Sequence, residues 1–195
     1  MNKIISKLVL ACVFLSISFT SLNAEVRFGV EGGLTYADMR AEETAQILAN
    51  LSGSTVTYVY DETTWFGRFF GEYVVSEDFG VELGLFTTGS LDATYTISGA
   101  SATESYEAAG VDVTAVIHND NLFFKAGMHS SDLTGSGSLT IDGTKYSITE
   151  TISGTGFLAG GGIEIDNTRY GITYYSSLGG DSDSSMTMLY AGLTF

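Results

Sequence analysis

Proline is absent from all 195 residues. A proline cannot donate to a strand ladder, so its absence suits a chain that is mostly hydrogen-bonded strand. Cysteine is nearly absent: the one residue is Cys12, inside the N-terminal leader described below. The chain that remains after the leader therefore holds no disulfide, and its stability must come from hydrogen bonding and packing. Two histidines and no cysteine in that chain exclude a credible transition-metal site. Cations are scarce, eight Lys and Arg against 23 Asp and Glu. That balance argues against nucleic acid or an anionic lipid surface as a direct electrostatic partner. No stretch reaches the roughly 20 apolar residues that a transmembrane helix needs.

The N-terminus has the form of a secretory signal. Lys3 and Lys7 make a positive n-region, Leu8 to Phe19 a short apolar run, and Leu22-Asn23-Ala24 a small-residue cleavage site, so residues 1–24 are expected to be removed. Val9-Leu10-Ala11-Cys12 has a trace of a lipoprotein box, but the apolar run continues past Cys12. Residues 25–195 are enough for one domain, and cleavage leaves six cations against 23 acids, a formal charge of −17.

What is abundant is glycine, 24 residues, and alternation. Glycine at this density suits a tightly curved sheet with a crowded interior. Eight segments alternate apolar and polar with the period of a strand. They begin at Val26, Trp65, Phe79, Ala109, Leu122, Phe157, Tyr170 and Met186. Phe66 and Phe70 blur the second. Most reach or can extend to the 9–11 residues of a tilted transmembrane strand. Three connections are tight and rich in Asn and Asp: Ser76-Glu77-Asp78, Asn119-Asp120-Asn121 and Asp166-Asn167-Thr168. The other four are long, and the two kinds alternate. The pattern predicts an all-β fold: an eight-stranded antiparallel up-and-down transmembrane β-barrel with four long extracellular loops and three short periplasmic turns. Closure leaves no unpaired edge in hydrocarbon.

Two loops keep alternating, at 91–97 and 138–150, so strands three to six are expected to continue above the membrane as a protruding sheet, turning at Asp142-Gly143. Arg40 to Leu51 reads either as a short helix, with Ile47, Leu48 and Leu51 on one side, or as an irregular loop.

The charges test the pattern. Arg27, Arg68, Lys125 and Arg169 fall opposite the apolar face of their strands, and Glu31, Glu72, Glu82, Asp112 and Glu164 fall on the same inner side. On a lipid face at mid-depth a charge costs about 2–4 kcal/mol, so their exclusion from it is expected. Inside an eight-stranded lumen, which side chains can fill, they can pair. The preferred reading is a plug of ion pairs; a narrow path for protons or small solutes is the alternative. A soluble periplasmic ligand-binding barrel would alternate inside out, but its outer surface would then carry glycines and few charges.

The final decapeptide, Met186 to Phe195, puts Leu189, Ala191, Leu193 and Phe195 on one apolar face and ends on an aromatic. It resembles the C-terminal insertion signal of outer-membrane barrels, in which the last aromatic is read by the assembly machinery. With eight strands, asymmetric connections, leader and Phe195, the chain resembles the small eight-stranded outer-membrane barrels: the OmpA transmembrane domain, the OmpX/Ail group and the AcfA-like proteins. The protruding hairpins favour the OmpX/Ail type. The resemblance implies a non-enzymatic protein of the bacterial outer membrane, monomeric, with a structural or surface-interaction role. Its implied partners are outer-membrane lipid and lipopolysaccharide, the barrel-assembly machinery with periplasmic chaperones, and a cell-surface or host ligand at the loops. Ail-like proteins bind host polyanions through basic loops. Here the loops carry Asp38, Glu42, Glu43, Asp61, Glu62, Asp92, Glu104, Asp132, Asp142, Glu150, Asp181 and Asp183 against Arg40 and Lys145, which argues against heparin-type adhesion.

Two small barrels of this kind act on lipid A, and one pairs a His-x-Ser with a Glu on its lipid-facing wall. His129-Ser130-Ser131 has that local form, with Glu150 the nearest downstream Glu, but its strand register turns it away from lipid. A lipid A-modifying enzyme is therefore the third reading, and no catalytic, metal or cofactor residue is assigned. His118, beside a tight turn, reads as a solvated turn residue. Asp181-Ser182-Asp183 reads as a solvated loop rather than a Ca²⁺ site. Trp65, Tyr36, Tyr73, Phe124, Tyr170 and Tyr174 fit interfacial girdles.

Overall fold

The computed structural model describes residues 25–37, 41–97, 100–141 and 143–195. The expected leader (with Lys3, Lys7 and Cys12), and Asp38, Met39, Arg40 and Asp142, lie outside the described residues.

The chain runs β1 (Glu25–Tyr36), α1 (Ala41–Ser52), β2 (Thr57–Tyr60), β3 (Thr63–Ser76), β4 (Phe79–Thr88), β5 (Leu91–Ile97), β6 (Ala100–Asn119), β7 (Leu122–Ile141), β8 (Thr144–Ile165), β9 (Thr168–Tyr175) and β10 (Met186–Thr194). Every pairing is antiparallel. Eight strands close a ring in the order β1-β3-β4-β6-β7-β8-β9-β10 and back to β1. Closure runs to the last residue: Phe28 N–H donates to Phe195 O at 2.9 Å, and Phe195 N–H donates to Phe28 O at 2.8 Å. The terminal aromatic thus sits on the first strand at the short-turn end.

The three tight turns join β3 to β4, β6 to β7 and β8 to β9. Asp120 and Asp166 take the left-handed conformation, φ 52° at each, which a short polar side chain tolerates. Along each wall the side chains alternate. Leu34, Trp65, Phe124, Met128, Phe157, Leu189, Leu193 and Phe195 are exposed on the outside, and Ala191 lies among them. From Val26 to Tyr36 a strand tilted by about 40° rises about 25 Å, the height of an outer-membrane apolar band. Tyr36, Trp65 and Tyr174 mark its upper rim; Tyr73 and Phe124 lie near the lower. Phe66 and Phe70, which disturb the alternation in sequence, point inward and are buried.

The wall is lopsided. β6, β7 and β8 are 20, 20 and 22 residues long, whereas β1, β9 and β10 are 12, 8 and 9. The upper halves of the long strands, with β5 and β2, form a raised five-stranded sheet. The third strand does not continue into it as one element. β4 stops at Thr88, and after Gly89-Ser90 the chain resumes as β5 on the same partner, β6. Thr87 pairs with Ala109 and Leu91 with Tyr106, so the junction holds one extra residue, a bulge. β2 extends the sheet by one short strand that the sequence pattern left within a loop.

α1 forms and lies on this sheet, rotated so that of the expected Ile47, Leu48 and Leu51 side it is Leu48 that packs. Ala41 and Ala45 are buried against Ala93 and Tyr95, with Leu48, Val56 and Ala102 around them. Ile47 and Leu51 are 59% and 81% exposed. The buried Tyr95 ring fills the platform, so small alanines spaced i, i+4 make the closer approach.

Candidate functional site

The lumen is built in two layers. At the short-turn end the inward positions of seven strands carry charge. Arg68 of β3 donates to three carboxylates: Asp112 (Nε–Oδ2 3.0 Å, Nη2–Oδ1 2.7 Å), Glu82 (2.9 Å) and Glu31 (3.1 Å). Arg169 of β9 donates to Glu164 (2.6 Å), Glu82 (2.5 Å) and Glu72 (2.8 Å). Glu82 therefore joins the two guanidinium groups into one network. Lys125 reaches both oxygens of Glu31 at 3.3 Å. The Tyr175 hydroxyl donates to Asp112 at 3.1 Å. The two guanidinium groups stack over the Phe70 ring at 4.9 and 5.0 Å. Every side chain in the Arg68 half of the network is at most 1% exposed. Buried charges persist when each one is paired and hydrogen-bonded, as here.

Two placements differ from the sequence reading. Arg27 is not in this network. It lies near the end of β1, pairs with Glu25 at 2.9 Å, and its side chain is 38% exposed. Alternation puts it on the inner side, but at the barrel mouth the inner side opens to solvent. His118 is in the network rather than solvated: its Nε2 lies 2.7 Å from Glu72 and its Nδ1 3.9 Å from Glu164, with 17% of the side chain exposed. The turn that seemed to carry it outward lies two residues beyond, and position 118 has the inward parity of Asp112 and Thr114.

The upper layer is apolar. Phe66, Phe86, Tyr175, Leu178, Met186, Met188 and Tyr190 form one buried cluster. The same cluster continues through Val116 and Phe123 down to the level of the charges, where the Arg169 guanidinium lies 5.1 Å from the Phe123 ring. The signal was present in the inward Phe66, Met188 and Tyr190, but an aromatic inside a polar face reads as noise in a single sequence. His129 packs against the touching Phe86 and Tyr175 rings, centroids 6.1 and 5.4 Å away, with Nε2 2.6 Å from the Ser176 carbonyl. The Ser131 hydroxyl accepts from Gly179 N–H at 3.0 Å. Both side chains are 2% exposed and face the lumen, and Glu150 lies on β8 opposite Gly135, well up the raised sheet. His129 neighbours Asp112 across the strand pair but makes no hydrogen bond to a carboxylate, and the His-x-Ser pair lies away from the outer wall. Among the described residues no group of three or more His, Cys, Asp or Glu is arranged to hold a metal. Asp181 organises its own loop, accepting from Asp183 N–H at 3.1 Å and from the Ser184 hydroxyl at 2.8 Å.

The raised sheet has two unlike faces. The outer one is a ladder of hydroxyls: Thr134 to Thr151 at 3.0 Å, Ser136 to Thr149 at 3.2 Å and Thr103 to Ser138 at 2.8 Å. The inner face is mostly apolar, with Glu104 and Glu150 among its residues, and α1 covers its β2–β5 side. On its β8 side Tyr146 and Ile148 stand 61% and 71% exposed. β8 pairs with β9 only from Leu158 down, so above that level one edge of β8 carries no ladder partner among the described residues. Under α1 the Tyr95 hydroxyl donates to Glu104; burial first, then that carboxylate, push the Tyr95 phenol above its usual range. Tyr106, 3.4 Å from the same Glu104, is raised for the same reasons in the same order.

No family model and no curated protein matches the sequence. Solved structures do match in fold. The chain is similar to Ail, the attachment invasion locus protein of Yersinia pestis, in complex with the heparin analogue sucrose octasulfate. The identity is 14%, over 88% of this chain and 99% of that one, with a TM-score of 0.55. A second Ail structure matches at 16% identity over 88% and 97%, TM-score 0.50. Neisserial surface protein A matches at 13% identity over 89% and 98%, TM-score 0.45. The fold is that of the small eight-stranded outer-membrane β-barrels.

Proposed function

On that fold as premise, we infer that the chain is a non-enzymatic integral protein of the bacterial outer membrane whose role is surface interaction or envelope stability. The observation that carries this reading is the raised sheet. It lifts exposed Tyr146 and Ile148, and an unpaired β8 edge, above the apolar band. An exposed edge with apolar side chains on one face is a template for an extended polypeptide. The end that bears it is then extracellular, and the tight turns are periplasmic. Ail was solved with a heparin analogue. The acidic loops here oppose a polyanion, so the favoured ligand is a protein surface rather than a sulfated glycan. Lipopolysaccharide surrounds the barrel, the assembly machinery and periplasmic chaperones deliver it, and Leu189, Ala191, Leu193 and Phe195 are the segment they read. The barrel works as a monomer.

The two-layer lumen favours a plug over a channel, and the lumenal burial of His129 and Ser131 weighs against lipid A chemistry. The test is adherence of cells expressing the whole chain, compared with a variant whose β7–β8 hairpin is cut back by removing residues 136–149. Retained assembly with lost adherence supports the reading. Adherence unchanged by the deletion, or competed by heparin, contradicts it. Unaltered lipid A mass spectra are expected; a new lipid A species tied to the gene would favour the enzyme.

A further inference from the structure

The free edge of β8 carries a sequence that is its own reverse. From Ser147 to Ser153 the residues read Ser-Ile-Thr-Glu-Thr-Ile-Ser, with Glu150 at the centre. A strand presents its side chains in a direction, and here both directions present the same ones. Parity tells which backbone groups of this segment are unpaired. Glu164 N–H donates to Asn121 O on the β7 side, and Phe157 O accepts from Ser176 N–H on the other. The β7–β8 register runs without a shift from Leu122↔Ile163 to Ile141↔Thr144, so this alternation holds along all of β8. Even-numbered residues therefore bond to β7. Ser147, Thr149, Thr151 and Ser153 point their N–H and C=O groups out of the sheet, where no ladder partner stands among the described residues. Ile148 and Ile152, 71% and 38% exposed, flank Glu150 on the inner face. Thr149 and Thr151 stand on the outer face, within the hydroxyl ladder.

A two-fold axis through Glu150, normal to the sheet, lays this edge against the same edge of a second copy. The pairing is antiparallel, with Glu150 in a non-hydrogen-bonded pair and Thr149↔Thr151 and Ser147↔Ser153 in hydrogen-bonded ones. Ile148 meets Ile152 on the inner face, and Thr149 meets Thr151 on the outer; such β-branched pairs are favourable neighbours across strands. About eight backbone hydrogen bonds then satisfy the edge groups of both copies. The two raised sheets become one, and α1, on the far β2–β5 side, stays clear of the junction. The axis reverses the strand, so it also reverses the barrel. The two copies therefore stand in facing membranes, each a monomer in its own. The hairpin tip at Gly143 comes level with Phe157 of the other copy, where Ser176 takes up the edge. We propose that Ser147–Ser153 is a homotypic contact that joins two copies of this chain across facing outer membranes, and that Glu150, opposed to itself at the axis, keeps each contact weak. Like charges directly opposite destabilise a cross-strand pair, and two acidic chains repel. Weak single contacts hold when many act between two surfaces and release when few do. The proposal rests on the raised sheet as the interacting surface and names the partner it takes.

Residues 25–195 hold no cysteine, so a single introduced cysteine reports the axis. The test uses one barrel per zwitterionic nanodisc, which leaves both membrane faces open, treated with diamide and run on a non-reducing gel. Glu150→Cys should form a covalent dimer, because a pair on the axis lies within disulfide reach. Ser147→Cys and Ser153→Cys should each give little dimer alone and should crosslink when mixed, because position 147 meets position 153. All three side chains are exposed, so the substitutions leave the barrel intact. Electron microscopy should show the linked discs face to face. In sedimentation without oxidant, Glu150→Gln should associate several-fold more than the parent, and the parent mixed with Glu150→Lys more than either alone. The proposal is overturned if Glu150→Cys forms no dimer, if the three cysteines crosslink alike, if the linked discs lie edge to edge, or if Glu150→Gln associates no better than the parent. Adherence that is lost with residues 136–149 while these discs stay single would overturn the homotypic partner and leave the surface-interaction reading in place.

Discussion

Replacing Arg68 with alanine should destabilise the barrel far more than replacing Arg27, although both lie on the inner side of their strands. Arg68 makes four hydrogen bonds to three carboxylates that are 0% exposed, so its loss takes one partner from each of Asp112, Glu31 and Glu82. Lys125 still serves Glu31, Arg169 still serves Glu82, and Tyr175 still serves Asp112. The network holds five carboxylates against Arg68, Lys125 and Arg169, with His118 at its edge; without Arg68 the excess of negative charge grows by one. Breaking a buried pair costs about 3–5 kcal/mol. Loss of the guanidinium from above the Phe70 ring adds about 1–2 kcal/mol. The sum, about 5 kcal/mol, is at least a third of the stability of an ordinary domain. Arg27→Ala removes one half-exposed pair, worth about 0–1 kcal/mol. Equilibrium urea unfolding in lipid vesicles, read by the single Trp65 on the outer wall, measures both. A double variant, Arg68→Ala with Asp112→Asn, should recover part of the loss, because one excess charge goes with it. Equal costs for Arg68→Ala and Arg27→Ala, or a cost below about 1 kcal/mol for the former, would refute the reasoning.

The intact chain in a planar bilayer should show no steady conductance, because an apolar layer lies over the charged one; a stable open level would move the account to the channel. Gly33→Val should block closure, since a Cβ there would lie 2.0 Å from the Leu189 carbonyl oxygen of the neighbouring strand; a normal yield of heat-modifiable barrel would contradict this. Removal of Phe195 should lower the assembled fraction in cells more than it lowers stability in vitro, as pulse-labelling against urea unfolding can tell. Tyr95 is kept protonated in the folded sheet by burial and Glu104. An unfolded tyrosine ionises near pH 10, so its contribution is complete below about pH 10 and is lost as pH rises beyond it. The hydrogen-exchange protection of α1, relative to the intrinsic base-catalysed rate, should fall over that window, and Tyr95→Phe should remove the fall. An α1 whose protection falls equally in Tyr95→Phe would sink the idea.

The ring was legible because a transmembrane wall obeys one rule at every position: outward residues meet an apolar medium and inward ones do not. Asp112, Lys125 and Arg169 follow from parity alone. What parity does not carry is height along the strand. Arg27 shares the inner side with Glu31 but sits at the mouth, while His118, beside a tight turn, points inward to Glu72. The apolar layer was hidden for a related reason: Phe66, Tyr190 and Met188 look like errors in a polar face until the opposite wall supplies Phe86 and Tyr175. The helix reads from Ile47, Leu48 and Leu51, of which Leu48 does pack on the sheet, whereas the closest contact selects its smallest apolar residues, Ala41 and Ala45. β2 is four residues long and is held by its pairing with β5, a contact that no local pattern reveals.

The account rests on a closed barrel seated in the outer membrane, and fractionation of expressing cells joined to a heat-modifiability gel tests it most directly. The chain should be found in the outer-membrane fraction and migrate differently before and after boiling, as a barrel that resists detergent until heated. A periplasmic soluble protein with the same mobility boiled and unboiled would contradict the account.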